Sequence, residues 1–158
     1  MTSRDQDAPV APNPHEAMDD PGQPVQEIAL GTSVNGTVIS ITGNGNASIP
    51  TGQAATVFKF TLTDTSGANV QFSSLDAADG TTACPPVGSG NQSGQIVGIT
   101  MHNNQTPKKA QFTDNNSNNP ANGALNVSYQ WEFTCNTGFT VQPFDPVISN
   151  GGRTGPIL

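Results

Sequence analysis

Cys84 and Cys135 are the only cysteines of the chain, and His15 and His102 its only histidines. Residues of these types build a nucleophile when a thiolate is held against an imidazole, and the imidazole needs an acid or carbonyl to orient it. The spacing gives such a pair little support. His15 lies in an acidic, proline-rich stretch, and His102, in "TMHNNQ", has no acid beside it in sequence. No catalytic residue and no cofactor are expected. The cysteines are instead a candidate disulfide: a Cys84–Cys135 bond would close a loop of about 50 residues and stabilise the fold by about 4 kcal/mol, chiefly by restricting the unfolded chain. The competing reading is two free thiols, with Cys135 a small buried hydrophobe and Cys84 a loop residue.

Carboxylates at turns offer a second chemistry. Asp64, Asp76, Asp79 and Asp114 fall in "TDTSG", "LDAADG" and "TDNNSNN", and calcium is bound by loop carboxylates together with amide oxygens. "DAADG" lacks the alternating ligands of an EF-hand loop, and aspartates at turns usually bond their own backbone. No metal site is therefore expected. Asn35, Asn46, Asn91, Asn104, Asn115 and Asn126 each head an N-x-S/T triplet. In a chain so rich in Asn, Ser and Thr these triplets are read as accidents of composition. No glycine-rich phosphate loop, zinc spacing or serine-hydrolase elbow is present.

Charge narrows the partners. The 158 residues carry five Lys and Arg against twelve Asp and Glu, a formal charge of −7, and phosphate backbones demand clustered cations. Nucleic acid is excluded as a partner, since the adjacent pair Lys108 and Lys109 reads as a solvated loop. No run approaches the length of a membrane span. The first twenty residues lack the apolar core of a signal peptide, so the chain is not expected to reach the secretory route by itself.

These residues must be positioned by strands. Only 33% of residues are hydrophobic and 11% charged, and an excess of Thr, Asn and Gly suits strands and turns rather than helices. "LNVSYQWEFTC" alternates strictly, with Leu125, Val127, Tyr129, Trp131, Phe133 and Cys135 opposite Asn126, Ser128, Gln130, Glu132 and Thr134. It reads as a central strand with one wet face. Tyr129 and Trp131 share the parity of Leu125 and Phe133, so they belong to the core rather than to a sugar-binding platform. Phe58, Phe60 and Leu62, Phe72, and Val97, Ile99 and Met101 supply the inward faces of three further strands. "NTG" is expected to turn the long strand into a hairpin with residues 139 to 142. "FDPVISN" is expected at a sheet edge because of Pro143 and Pro146.

The expected architecture is all-β: a single antiparallel β-sandwich, immunoglobulin-like or jelly-roll, of about seven or eight strands. It spans residues 31–158 and ends in an irregular C-terminal tail. Residues 1–30, with six acids against Arg4 alone and five prolines, are expected to form an extended arm. The functional expectation is a non-enzymatic structural or interaction protein, an accessory or decoration subunit at the surface of a virus or phage particle. It would dock through its terminal segments onto protein partners in a large assembly, a second copy of itself included. The alternative is an extracellular or cell-surface adhesin, or a carbohydrate-binding sandwich. Both expectations rest on fold and composition rather than on a motif.

Overall fold

A computed structural model describes residues 22–154. Among them ten strands follow in order: β1 (Val25–Asn35), β2 (Val38–Thr42), β3 (Ala47–Ile49), β4 (Thr56–Thr63), β5 (Gln71–Asp79), β6 (Ile96–His102), β7 (Lys108–Asp114), β8 (Leu125–Thr134), β9 (Thr140–Val141) and β10 (Val147–Asn150), with one 3-10 turn at Pro120–Asn122. They form two sheets, one of six strands in the order β6-β7-β4-β1-β2-β9 and one of four in the order β3-β10-β8-β5. The fold is all-β, but it is not a single antiparallel sandwich. β1 runs parallel to β4, β2 to β9 and β10 to β3, and the larger sheet curls into a half-barrel. Alternation along a strand fixes which side chains face inward and carries no information about the direction of its neighbour.

β1 shows how local sequence builds the larger sheet. Gly36, at φ +65°, takes the first central position of the two-residue loop that folds β1 back onto β2, with Asn35 facing Val38 across it. On its other side β1 pairs with β4, Ile28 beside Phe60 and Leu30 beside Leu62. Val25–Leu30, assigned above to the arm, therefore form the first half of β1 and pair along their length with β4, while β2 pairs with the second half. Ile28 and Leu30 are buried in the core. Residues 1–21 and 155–158 of the expected arm and tail lie outside the described residues.

The core joins the sheets through aromatic rings. Phe58, Phe60 and Leu62 from β4 and Phe112 from β7 meet Tyr129 and Trp131 from β8, and all of these are buried. Phe60 lies edge-on to Trp131 at 5.5 Å between ring centres and to Tyr129 at 5.7 Å, while Phe112 stands edge-on to Tyr129 at 5.1 Å. Such edge-to-face pairs contribute about 0.5–1.5 kcal/mol each beyond the area they bury. Phe72 and Val127 complete this interior, and Leu125, Ile99, Phe133 and Cys135 pack half-buried against it.

Val97 is the exception: it is 45% exposed, whereas its neighbour Ile96 is buried. A bulge lies between them and the rest of β6. Val97 faces Thr113 and Thr100 faces Gln111, so β6 spends three steps where β7 spends two, and Gly98 at φ +67° absorbs the extra residue. One inserted residue exchanges the two faces of a strand, which turns Val97 out while Ile99 still packs inward. Met101, near the end of this edge strand, is also exposed.

Two further expectations change. Thr140–Val141 do not return along β8; the chain crosses to the other sheet, where they pair with β2. β8 lies between two antiparallel neighbours, β5 on one side and on the other the segment from Phe144 into β10, which also pairs with β3 and so lies inside its sheet rather than at an edge. Pro143 and Pro146 are accommodated because both precede β10. The middle of the second face of β8 is not wet either, although Asn126 and Thr134 at its ends are exposed. Ser128 and Gln130 are buried, since the loop from Gly80 to Gln95 folds back over the sheet: Ala77 exchanges backbone hydrogen bonds with Gly90 and Gln92. This return also covers the long β5 edge, which would otherwise expose unpaired amides.

Candidate functional site

The residues that could do chemistry are dispersed over the fold. Cys84 and Cys135 are both free thiols. The Cys84 Sγ–H donates to the Asp145 carboxylate, beside Phe144 and its partner Trp131, whereas Cys135, four residues beyond Trp131, donates to the Phe139 carbonyl. At about 3.3 Å per residue along β8, that separation is well outside the Cα distance a disulfide spans. The candidate disulfide is therefore not formed. The hydrogen bond to Asp145, then burial and the Asp145 charge, push the Cys84 thiol up, which disfavours the nucleophilic thiolate. Of the two imidazoles, His102 ends β6 opposite Lys109, and His15 lies outside the described residues.

The turn aspartates divide into three environments. Asp64 closes the turn after β4 and accepts the Ser66 amide at 2.9 Å, the Ser66 hydroxyl at 2.6 Å and the Val70 amide at 2.8 Å. Burial pushes its carboxyl up, but these bonds and the Lys108 charge together outweigh burial and hold it below the usual carboxylate range. Asp79, exposed at the end of β5, accepts the Ser93 hydroxyl at 2.6 Å and the Gly94 amide at 2.8 Å. Both tie down their own loops. Among the described residues no three His, Cys, Asp or Glu side chains gather as metal ligands.

Asp76 and Glu132 form a carboxyl pair on neighbouring strands under the loop that follows β5. Asp76 accepts Gln130 Nε2 at 2.9 Å and the Gly90 amide at 2.8 Å, and Glu132 accepts the Gly88 amide at 2.8 Å. The hydrogen bond shared with Asp76, then burial and the Asp76 charge, push Glu132 up against the pull of Gly88 and Ser74. Burial raises Asp76, yet the bonds from Glu132, Gln130, Gly90 and Gly88 hold it below its usual value. Glu132 is thus held above its usual carboxylate value and Asp76 below its own. The loop amides of Gly88 and Gly90 tie both carboxyls to the loop that follows β5, so the pair acts as a clasp.

An open cavity of about 440 Å³ lies where the β4 turn meets the connection between β6 and β7. Leu62 and Pro107 give it apolar walls, while Asn69, Gln105 and Lys108 supply polar groups. Thr106–Pro107 is a cis peptide, and Asn69 stands at φ +54°. Lys108 Nζ donates to Asn69 Oδ1 at 3.0 Å and lies 3.9 Å from Asp64 Oδ2. Lys108 is therefore no solvated loop lysine: it begins β7 and is held at this rim. The cavity offers ammonium and amide donors against apolar walls, suited to hydroxyl- or carbonyl-bearing groups. Its one carboxylate is engaged by the Asp64 turn.

Sequence reasoning missed the asparagines that build the structure. Asn103 bonds Phe72 through both ends of its amide, accepting from the Phe72 N–H and donating to its carbonyl, each at 2.9 Å. It so bridges the two sheets where β5 bulges. Asn46 accepts the Val147 amide, and Asn91 donates to the Ile96 carbonyl, so two of the six triplet asparagines, both exposed, use their side chains in tertiary hydrogen bonds. Asn116 and Asn150 are completely buried. The only signal for them was the density of Asn in "DNNSNNP" and "ISNGG".

No helix among the described residues is long and apolar enough to cross a membrane. No protein-family model matches the chain, and no curated protein is significantly similar to it. The class defined by the fold is a two-sheet, mixed β protein.

Proposed function

We propose that the protein is a non-enzymatic structural or interaction subunit of a large assembly, an accessory or decoration subunit at the surface of a virus or phage particle, docking through its terminal segments. The observation that carries this reading is the junction at β1. An acidic, proline-rich stretch runs directly into a strand held by β2 on one side and β4 on the other. A segment of that composition gains most from ordering against a partner, and a strand so held transmits its anchorage to the whole body. The dispersion of the thiols, imidazole and carboxyls supports a binding rather than a chemical role. Removing residues 1–21 tests it: the truncated chain should keep its β circular dichroism and stop co-sedimenting with particles that carry the full-length protein. Unchanged incorporation would refute docking by this segment.

A second reading, an extracellular adhesin or carbohydrate-binding module, is favoured by the cavity beside Lys108. A glycan array probed with the protein and with Lys108→Ala and Asn69→Ala separates the two, since sugar binding lost in both variants would move the function to that cavity.

A further inference from the structure

Asp114, the last residue of β7, is fully buried, and its two oxygens differ. Oδ1 accepts the Asn116 amide at 2.9 Å and Asn150 Nδ2 at 2.6 Å, whereas Oδ2 is buried with no hydrogen-bond partner. Asn150 repeats the pattern: its Nδ2 is committed to Asp114, and its Oδ1 is buried without a donor. Asn118 Nδ2 donates to the Asn150 carbonyl at 3.2 Å, and its Oδ1 too is buried and donorless. These partners fix which way the amides point, because rotating either one would set oxygen against oxygen. One network therefore holds three buried acceptors and no donor for them. A water molecule has only two hydrogens to give.

The surrounding backbone is held firmly. Asn116, at φ +49°, donates to the carbonyls of Pro50 at 3.3 Å and Gln53 at 2.9 Å and accepts the Gly152 amide at 2.8 Å. Gly52 donates to Gly152, and Arg153 to Asn118, through the backbone. The loop between β3 and β4, the loop after β7 and the segment after β10 are thus joined at one end of the two sheets.

We propose that this network is a binding site for a single hard, oxygen-seeking cation, held by the carboxylate of Asp114 with the side-chain oxygens of Asn150 and Asn118. The donors are all oxygen, the ligand class of sodium, magnesium and calcium rather than of softer metals. One buried carboxylate with neutral amides balances a monovalent ion. The charge of Asp79 reaches Asp114, although its own oxygens are bonded to Ser93 and Gly94. Arg153, on the segment after β10, donates from Nε to the Asn115 carbonyl at 3.1 Å. The inference goes beyond the assembly role and does not depend on it.

The test uses the full chain, freed of metal by chelator and dialysed into choline chloride at pH 8. Thermal unfolding is followed in choline, sodium and calcium chloride at matched ionic strength. The expected result is a saturable rise in Tm with sodium or calcium, absent in Asp114→Asn and shifted to about tenfold higher ion concentration in Asn118→Ala by the loss of one ligand. Saturation by sodium marks a monovalent site. Saturation by low calcium marks a divalent one, and Asp79→Asn then weakens it. Equal melting of the wild type in all three salts, or a rise that persists in Asp114→Asn, would overturn the proposal and leave the site to water or a proton. Should Asp114→Asn not fold, Asn118→Ala decides, because an unchanged midpoint there overturns it equally.

Discussion

Replacing Asp114 by Asn keeps the shape of the side chain and removes a buried charge, so the variant reads out what that charge does to stability. Burial, reinforced by the charge of Asp79 and opposed by the bonds from Asn116 and Asn150, pushes the Asp114 carboxyl from 3.8 up to about 6. Because the folded value is raised, the folded protein holds this proton after the unfolded chain has lost it. Stability from this group is fully present below about pH 4, falls as pH rises toward the folded value, and is constant above it. About two pKa units correspond to roughly 3 kcal/mol, and the group is fully enclosed, so no discount for solvent screening applies. Urea unfolding of both proteins, in chelator and choline chloride between pH 4 and pH 8, isolates the effect, since the other carboxyls are common to both. The wild type should lose roughly 3 kcal/mol relative to Asp114→Asn across that range. Parallel stability curves would refute the reasoning, and a saturating cation should reverse the trend above pH 6.

Two further outcomes follow from particular contacts. A Cβ placed on Gly45 would lie 2.6 Å from Tyr129 Oη and 2.5 Å from Pro146 Cγ, against the hydroxyl that donates to the Gly45 carbonyl at 2.8 Å. Gly45→Ala should therefore destabilise the fold by about 1–3 kcal/mol, seen as a lower urea midpoint with an unchanged slope. Asp145→Asn removes the carboxylate charge that helps hold Cys84 protonated and weakens the bond it accepts, so the rate of Cys84 alkylation near neutral pH should rise. An unaltered rate would show that Asp145 does not control the thiol.

Strand faces were legible wherever a strand runs without interruption. Alternation placed Phe58, Phe60 and Leu62 on one face of β4 and Tyr129 and Trp131 on one face of β8, and all five lie in the interior. It failed at Val97, because the bulge at Gly98 depends on pairing with β7, and a bulge leaves the local composition unchanged. The cysteines illustrate the same limit: their separation in sequence permitted a bond, and only the path of the chain put their thiols on different partners.

The order of residues by itself determined that the body is β-structure, that its central aromatic side chains, Tyr129 and Trp131 among them, turn inward and that the formal charge is −7. Periodicity and net charge are local or additive properties, readable without knowing what touches what. Tertiary structure alone decided that β1 lies parallel to β4, that a loop roofs the second face of β8, and that Asp114 is enclosed with Asn150 and Asn118. These depend on which segments meet across long separations. An aspartate at a solvated turn and one sealed beneath three loops have the same letter, and only the neighbours that exclude water make their chemistry differ.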